Sequence, residues 1–429
     1  MRRWVTSGHG GPTRARSRFL TVLGSCAAVV VVAYTCGAAS GSAGHESAAS
    51  YYRLVQYPRA GFGGFYTQIA HARRTIDMEI YELEDPVAEG DLAAAAARGV
   101  RVRVLLDRAF SGAKVNSGAA LYLAAHGVEV RWAPAGYIFH IKTTTFDGRT
   151  SDISTANLVA RYYRTTRDAE IIDSDPVQVR AIEETFSNDW TAGASGSPKS
   201  QTVQAPGLIW SPNTGSGTAE SALVKRISSA RKAIDFESEE LSDPAIYQAL
   251  AAAARRGVRC KVVMTRSSDW DSAFRTVTKA GCLVHLFPDS STALYIHEKL
   301  ILDDPGTARE SLVIGSQNAS VTSLTRNREL GVLLNRGYGG ASAIATASAT
   351  FNSDFRHASA WASSKPKAKP KPTPKPTPKP TGCYPKTHSG NCYEPGEYCS
   401  DADHGLSGIA GDGEAIVCEN NDGWRWEPK

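Results

Sequence analysis

The feature that most constrains the fold of this chain is an internal repeat at a single offset of 158 residues. Residues 72–79 (ARRTIDME) align with residues 230–237 (ARKAIDFE), and further short segments keep the same offset. Similarity at one fixed distance indicates a duplicated structural unit. We therefore predict two copies of one domain, over residues 51–195 and 206–362 of the 429-residue chain.

Within each copy, helix patterns alternate with strand patterns. In the first copy an Ala-rich helix follows Pro86 and ends at Gly99, and residues 100–106 form an apolar strand directly after it. Such alternation favours an α/β fold with a largely parallel sheet. We predict two tandem α-β-α sandwich domains in a pseudo-twofold arrangement, which places corresponding strands of both copies at one shared cleft.

Each copy also carries the pattern H-x-K-x4-D, at residues 140–147 (HIKTTTFD) and 297–304 (HEKLILDD). A small polar cluster that ends in Asn follows each pattern, at residues 154–157 (STAN) and 315–318 (GSQN). Residues two apart on a strand share a face, so His and Lys project together. An imidazole, an ammonium group, a hydroxyl and an amide form a receptor suited to phosphate oxygens.

A single H-x-K is typical of any exposed strand, but two copies with matching downstream residues favour a catalytic function. The predicted catalytic residues are His140, Lys142, Asp147, His297, Lys299 and Asp304. The predicted phosphate-binding donors are Thr155, Asn157, Ser316 and Asn318. A third similarity, between residues 167–170 (RDAE) and 327–330 (NREL), supplies Glu170 and Glu329 as the acceptors that orient the histidines. Because lysines and neutral donors hold the phosphate, we predict no metal and no cofactor.

These motifs resemble those of the phospholipase D superfamily, whose signature is H-x-K-x4-D followed by G-S/T-x-N, present twice. The resemblance covers roughly residues 51–360, and Ser154 stands where the family usually has Gly. It implies the same face-to-face domain pair and a two-step reaction through a phosphohistidine. One histidine attacks phosphorus, and the other protonates the leaving oxygen and then activates water. The resemblance favours His140 as the nucleophile and His297 as the acid and base.

The ends of the chain predict an exported protein. Residues 1–43 combine a basic start, a short apolar run and small residues, which is typical of a signal peptide; an uncleaved membrane anchor is the alternative. Residues 363–381 form a Lys/Pro/Thr linker of extended polyproline type.

Cysteines cluster beyond the linker, in residues 382–429. This region contains Cys383, Cys392, Cys399 and Cys418, which we interpret as two disulfides of open connectivity rather than a zinc site. Cys260 and Cys282 in the second copy form either a further disulfide or buried thiols.

Charge helps to separate the substrate classes. The net charge is +5, yet residues 1–50 contribute about +4, the linker +6 and the tail −6, which leaves the core near +1. A nuclease usually shows a basic footprint, which the sum for the core lacks. Aromatic residues near the motifs suit an interfacial lipid or stacked bases; they are Trp132, Tyr137, Phe139, Tyr162, Tyr163, Trp270 and Phe274.

We therefore predict a secreted, monomeric phospholipase D-type phosphodiesterase. It hydrolyses glycerophospholipids at a membrane or micelle surface, for example phosphatidylcholine to phosphatidate and choline, with phosphatidyl transfer to alcohols as a side reaction. The alternatives are an extracellular endonuclease of the same superfamily, which binds nucleic acid, and a non-catalytic surface-binding protein. The ligand of the Cys-rich tail stays open.

Overall fold

The computed structural model describes residues 50–109, 112–134, 136–195, 200–212, 217–362, 382–387, 390–420 and 424–429. The predicted signal peptide, residues 1–43, and the linker, residues 363–381, lie outside the described residues. Within those described ranges no helix has both the length and the apolar character needed to cross a membrane.

The first domain contains a mixed sheet flanked by helices. Its strands are β1 (Tyr52–Tyr57), β2 (Thr75–Ile80), β3 (Leu83–Glu84), β4 (Arg101–Leu106), β5 (Glu129–Trp132), β6 (Lys142–Phe146), β7 (Thr150–Ser154), β8 (Leu158–Val159) and β9 (Thr166–Asp173). Its helices are α1 (Gly63–His71), α2 (Pro86–Ala97), α3 (Gly112–Ala125) and α4 (Pro176–Ser195). The strand order is β1-β9-β7-β6-β2-β4-β5, and the short strands β3 and β8 pair separately.

The second domain repeats this plan. Its strands are β10 (Leu208–Ser211), β11 (Ala233–Glu237), β12 (Arg259–Thr265), β13 (Leu283–Phe287), β14 (Tyr295–Ile296), β15 (Leu300–Asp303), β16 (Ser311–Gly315), β17 (Glu329–Asn335) and β18 (Ser359–Ala360). Its helices are α5 (Ala219–Ser229), α6 (Pro244–Arg255), α7 (Asp271–Lys279), α8 (Val321–Thr325) and α9 (Ala341–His357). The strand order is β10-β17-β16-β15-β11-β12-β13-β18, while β14 pairs with β9 of the first domain.

The predicted α/β class with two duplicated domains is confirmed, but the prediction of a largely parallel sheet is wrong. Strands β2, β4 and β5 pair in parallel, as do β11, β12 and β13, and the short pairs β9 with β14 and β3 with β8 are also parallel. By contrast, β6 is antiparallel to β2, and the pairs β6 with β7, β7 with β9 and β9 with β1 are antiparallel. The physical reason is that β6 and β7 follow each other through a tight turn, and only an antiparallel pair allows so short a connection.

The repeated Asp-Pro pair starts an equivalent helix in both domains. The side chain of Asp85 accepts hydrogen bonds from the backbone N–H groups of Val87 and Ala88, and Pro86 fills the first helical position. Asp243 likewise caps α6, where it accepts the backbone N–H of Ala245, and Pro244 fills the first helical position. Each such cap contributes about 1 kcal/mol to helix stability. The helices therefore begin directly after the loops that carry cleft residues.

The two domains share one core and two reciprocal ion pairs. A single apolar cluster contains Ile171 and Phe186 from the first domain and Leu302 and Phe351 from the second. Arg167 of the first domain pairs with Asp354 of the second, with Nε 2.6 Å from Oδ2 and Nη2 2.9 Å from Oδ1.

The second pair runs in the opposite direction. Arg328 of the second domain places Nη2 3.0 Å from Oδ1 of Asp189 in the first. Both members of this pair are almost fully buried. Removal of one partner from a buried pair costs about 3–5 kcal/mol, because the other charge is left uncompensated. The relative orientation of the domains is thereby fixed at the cleft.

The Cys-rich tail forms a small three-stranded sheet, β19 (Ser407–Ile409), β20 (Ala415–Asn420) and β21 (Trp424–Pro428). Its disulfides join Cys383 to Cys392 and Cys399 to Cys418, as predicted for two bridges, and Cys260 pairs with Cys282 in the second domain. Trp426 is fully buried and Trp424 stacks on His404, with ring centroids 3.8 Å apart.

Candidate active site

The two H-x-K segments begin at the domain interface. The N–H of His297 donates to the carbonyl of Arg167 at 3.0 Å, and the N–H of Arg328 donates to the carbonyl of Ile138 at 2.8 Å. Each motif is therefore tied at its start to the other domain. Burial is the main cause that lowers the pKa of His140, and the charges of Lys142 and of Lys299 from the other domain lower it further.

His140 is oriented by a carboxylate of the opposite domain. Its Nδ1 lies 2.9 Å from Oε2 of Glu329, and the hydroxyl of Ser323 donates to the other oxygen of that carboxylate at 2.7 Å. Burial lowers the pKa of His140 to about 4, against the opposing effect of Glu329. His140 is therefore neutral at pH 7, and the proton on Nδ1 leaves the lone pair of Nε2 for the cleft.

His297 is oriented in the same way by the first domain. Its Nδ1 lies 2.7 Å from Oδ1 of Asp168, which also accepts a 2.7 Å hydrogen bond from the hydroxyl of Thr155. Its Nε2 lies 3.4 Å from Oε2 of Glu239. Both ring nitrogens of His297 thus face carboxylate oxygens.

The prediction that Glu170 orients a histidine is wrong. Its carboxylate accepts a 3.2 Å hydrogen bond from the hydroxyl of Tyr57, and burial raises its pKa to about 7. The strand register gives the reason, because Ser154 lies opposite Glu170 and the equivalent Gly315 lies opposite Gly331. Residues 167–168 (RD) therefore correspond to residues 328–329 (RE), and this pairing was the signal for Asp168.

The lysine ammonium groups lie beside the histidines. Nζ of Lys142 donates to the carbonyl of His140 at 2.7 Å, and Nζ of Lys299 donates to the carbonyl of His297 at 2.5 Å. Lys299 also forms a 2.9 Å ion pair with Glu239. Burial lowers the pKa of Lys142 to about 7. Both lysines are almost fully buried, so an anion in the cleft would meet poorly hydrated ammonium groups.

The asparagine amides contact carboxylates that the motifs did not reveal. Nδ2 of Asn157 donates to Oε2 of Glu82 at 2.9 Å, and Nδ2 of Asn318 donates to Glu239 at 3.2 Å and to Glu240 at 3.1 Å.

These three glutamates belong to the segments that follow β2 and β11. Burial raises the pKa of Glu82, and it raises that of Glu240 to about 7. Burial would also raise the pKa of Glu239, but the charges of His297 and Lys299 outweigh it and lower that pKa. The signal in the sequence was the position of these acidic residues at the ends of the duplicated central strands.

Thr155 and Ser316 do not point at the cleft as phosphate donors, so that prediction is wrong. Both are buried; Thr155 bonds to Asp168, and its oxygen also accepts the N–H of Ala169 at 2.9 Å. Ser316 accepts the N–H of Leu330 at 3.1 Å. Both hydroxyls instead fix the strand that carries the orienting carboxylate.

Asp147 and Asp304 are structural rather than catalytic, which corrects their predicted role. Asp147 accepts hydrogen bonds from the backbone N–H groups of residues 73, 74 and 75, and Asp304 accepts them from residues 231, 232 and 233. Each lies at the far end of its strand, about 16 Å from the lysine at roughly 3.3 Å per residue. They hold the loops that lead into β2 and β11.

The aromatic residues expected around the cleft are mostly packed inside. Phe139 and Phe274 are buried in the core. The ring of Tyr163 stacks on Phe62 at 3.6 Å between centroids, and its hydroxyl donates to Asp85. Tyr162 is exposed. An aromatic rim is therefore not what defines this cleft.

The arrangement joins a neutral imidazole, a second imidazole between carboxylates, two ammonium groups and two amides. Such a set can bind one tetrahedral anion, form a bond to it through nitrogen and move a proton to its leaving group. In the described ranges, no group of three or more His, Cys, Asp or Glu side chains is arranged to hold a metal ion.

Comparison with solved structures shows a related fold. Phosphatidylserine synthase from Haemophilus influenzae Rd KW20 matches with a TM-score of 0.54 and 13% identity, over 72% of this chain and 87% of that one. Polyphosphate kinase from Porphyromonas gingivalis matches with a TM-score of 0.50 and 15% identity, over 66% of this chain. The match spans 47% of that kinase, about half of its length.

A comparison with curated proteins gives no match. The sequence does match the family model described as "Cardiolipin synthase, PLD-like domain", over residues 65–190 and again over residues 223–355. Each matched region contains one H-x-K strand, one Asn and one His-orienting carboxylate of the cleft. With both copies matched over more than half of its length, the chain belongs to the family of phospholipase D-like domains.

Proposed function

We propose that this protein is an exported phospholipase D-type phosphodiesterase that cleaves the head-group bond of glycerophospholipids, for example of phosphatidylcholine. The observation that carries the proposal is the reciprocal pair of histidines, each held by a carboxylate of the other domain. Two oriented imidazoles in one cleft supply what a two-step displacement at phosphorus requires. Membership of the phospholipase D-like family supports a phosphodiesterase or phosphotransferase of this kind.

In the first step, Nε2 of His140 attacks phosphorus and the head-group oxygen leaves with a proton from His297. In the second step, water attacks the phosphohistidine and gives its proton to His297, and a small alcohol in place of water gives phosphatidyl transfer. Lys142, Lys299 and the two asparagines bind the non-bridging oxygens. Preorganised donors of this kind typically contribute about 10²–10³-fold each to the rate.

The charges of the cleft support a lipid over a nucleic acid. Three glutamates line the phosphate donors, and Glu239 among them is held ionised by His297 and Lys299, while Glu82 and Glu240 add further carboxyl groups. Such a lining opposes a polyanion, since proteins that hold DNA neutralise several phosphates with basic side chains. A phospholipid presents a single phosphodiester, and its cationic head group gains from the same carboxylates.

The localisation and oligomeric state form part of the proposal. Export is supported by the basic and apolar start of the sequence and by three disulfides, which persist in oxidising compartments. A monomer is supported because one chain supplies both halves of the cleft.

One experiment separates the candidate functions. Purified mature protein is incubated, with and without EDTA, with phosphatidylcholine vesicles and separately with plasmid and single-stranded DNA. We expect choline and phosphatidate from the vesicles in both conditions, and phosphatidylethanol when ethanol is added. Cleaved DNA with intact lipid would replace the proposal by an endonuclease, and no turnover of either would leave a surface-binding protein.

A further inference from the structure

The two halves of the cleft differ at one equivalent position. The offset of 158 residues aligns Tyr81, just after β2, with Glu239, just after β11. The ring of Tyr81 lies edge-on to His140, with centroids 4.7 Å apart, and Nζ of Lys142 lies 5.0 Å from the Tyr81 centroid. An aromatic ring therefore faces the first histidine and lysine where a carboxylate faces the second pair.

Glu239 contacts one polar group on each of His297, Lys299 and Asn318. Its Oε2 lies 2.9 Å from Nζ of Lys299, 3.2 Å from Nδ2 of Asn318 and 3.4 Å from Nε2 of His297. Its Oε1 accepts the hydroxyl of Tyr295 at 3.1 Å. The carboxylate thus takes the position of an anion in the second half of the cleft.

Nδ1 of His297 hydrogen-bonds to Asp168, and Nε2 lies at the ion-pair distance of 3.4 Å from Oε2 of Glu239. A neutral imidazole has one N–H, and a carboxylate beside each nitrogen favours the imidazolium form, which carries an N–H on both. Among the residues that the structure describes, the carboxylate paired with His140 is Glu329, on Nδ1, and Nε2 keeps a lone pair in the neutral form. The two histidines therefore enter the reaction in different electrostatic surroundings, with a carboxylate beside both nitrogens of His297 and beside Nδ1 of His140.

We propose that Glu239 is a positioning residue that holds a proton on Nε2 of His297, and that it thereby makes His297 the general acid and leaves His140 as the nucleophile. This inference rests on the proposed phosphodiesterase function. Glu239 lies outside both motifs, and it determines which of two otherwise similar histidines acts as the acid and which as the nucleophile.

The proton and electron balance is complete without another reactant. The N–P bond to His140 forms as the P–O bond to the head group breaks, and the leaving oxygen takes the proton from Nε2 of His297. Water then forms a new P–O bond, its proton returns to Nε2 of His297, and the electron pair of the N–P bond returns to His140. Glu239 stays ionised throughout, because His297 and Lys299 lower its pKa despite burial.

Glu239 also competes with the substrate. Lys299 and Asn318 must exchange this carboxylate for a phosphate oxygen when the diester binds, so a neutral side chain at this position should lower KM. The charged and titratable groups near His297 come from several elements; they are Asp168, Glu239, Lys299, Glu82 and Tyr295.

The test compares two leaving groups in the full-length protein. Phosphatidylcholine needs a proton on its leaving alkoxide, whereas phosphatidyl-p-nitrophenol releases a stable phenolate. For Glu239→Gln we expect kcat on phosphatidylcholine to fall about 10–100-fold at pH 8, since general acid catalysis contributes about 10²–10⁴-fold. The kcat on phosphatidyl-p-nitrophenol should stay within about twofold of the wild-type value, and KM should fall for both substrates.

Two further variants complete the design. Glu239→Asp keeps the charge and should restore part of the phosphatidylcholine activity, and Glu184→Gln on the exposed surface of α4 should match the wild type. The basic limb of the kcat profile should move to lower pH in Glu239→Gln.

An equal loss on both leaving groups, or no loss on phosphatidylcholine, would overturn the inference while the proposed function stands. A wild-type protein that cleaves neither diester would overturn the proposed function itself. If Glu239→Gln does not fold, as judged by circular dichroism, Glu239→Asp decides through the same leaving-group comparison with a smaller expected loss.

Discussion

Nδ1 of His140 in the first domain lies 2.9 Å from Oε2 of Glu329 in the second. The contact fixes both the rotation of the imidazole and the nitrogen that carries its proton. We expect Glu329→Gln to lower kcat by about a hundredfold or more, as loss of a His-orienting carboxylate does in other His-centred sites. Vesicle assays measure the loss, and a thermal unfolding midpoint close to that of the wild type shows that the fold is kept. Unchanged turnover in a folded variant would contradict the orienting role.

Asp168 and Glu170 provide a paired test of the orientation of His297. Asp168 contacts Nδ1 of His297 at 2.7 Å, whereas Glu170 bonds to Tyr57. We therefore expect Asp168→Asn to lose activity on the scale of Glu329→Gln, and Glu170→Gln to keep kcat within about threefold of wild type, because the partner of Glu170 is Tyr57 rather than a catalytic histidine. A large loss in Glu170→Gln with little loss in Asp168→Asn would instead identify Glu170 as the residue that orients His297.

The difference between these two acidic residues shows where the sequence was informative. The duplication, the α/β class, and the meeting of His140, His297 and both lysines in one cleft follow from the offset and the motif. The sequence offers two acidic candidates two residues apart, Asp168 and Glu170, and only the match of residues 167–168 (RD) to residues 328–329 (RE) favours Asp168. Strand pairing removes the ambiguity, since Glu170 lies opposite Ser154.

The positions of two other groups of residues could not be predicted from the motifs, for different reasons. Asp147 follows Lys142 by five residues, and only the extended geometry of β6 shows that this distance carries it away from the cleft. Glu82 and Glu239 lie far from the motifs in sequence and reach them through the order of strands in the sheets. Sequence spacing alone does not carry such information, because sheet order is set by tertiary packing.

The pH dependence of kcat/KM should follow two buried groups of the first domain. Protonation of His140, whose pKa burial lowers to about 4, removes the attacking lone pair, so activity falls as the pH drops through that value. Lys142 binds phosphate as a cation, and burial lowers its pKa to about 7, so activity falls again as the pH rises through that value. Profiles of kcat/KM report such groups in the free enzyme.

A Lys142→Arg variant separates the lysine from the other groups that titrate in this range. A guanidinium keeps its charge above pH 12, so the basic limb should move upward even if the absolute rate falls. A basic limb at an unchanged pH in this variant would assign it to another group of the cleft.

The stability of the fold should depend on pH through Glu170. Burial raises the pKa of Glu170 to about 7, above the value of about 4.3 for an unfolded chain. The folded state then binds the proton more tightly, so this group stabilises the fold at low pH and loses that contribution as the pH rises through about 7. Glu170→Gln should flatten this dependence, because the proton that Glu170 shares with the neighbouring buried carboxyl of Asp152 is then no longer bound. Denaturant unfolding at pH 5 and pH 8 measures the change in the free energy of unfolding between the two pH values. An equal change in the variant and the wild type would contradict the role of Glu170.

The division of labour between the histidines predicts a trapped intermediate. In His297→Asn, His140 keeps its contact with Glu329 and still attacks phosphorus, but no imidazole remains to activate water. With phosphatidyl-p-nitrophenol, whose leaving group needs no proton, we expect a burst close to one equivalent of p-nitrophenol followed by slow turnover. Peptide mass measured under alkaline conditions should place the phosphatidyl group on His140.

The matched variant His140→Asn should give no burst, because His297 is held between Asp168 and Glu239. A burst from His140→Asn with label on His297 would reverse the assignment, and no adduct in either variant would contradict the covalent mechanism.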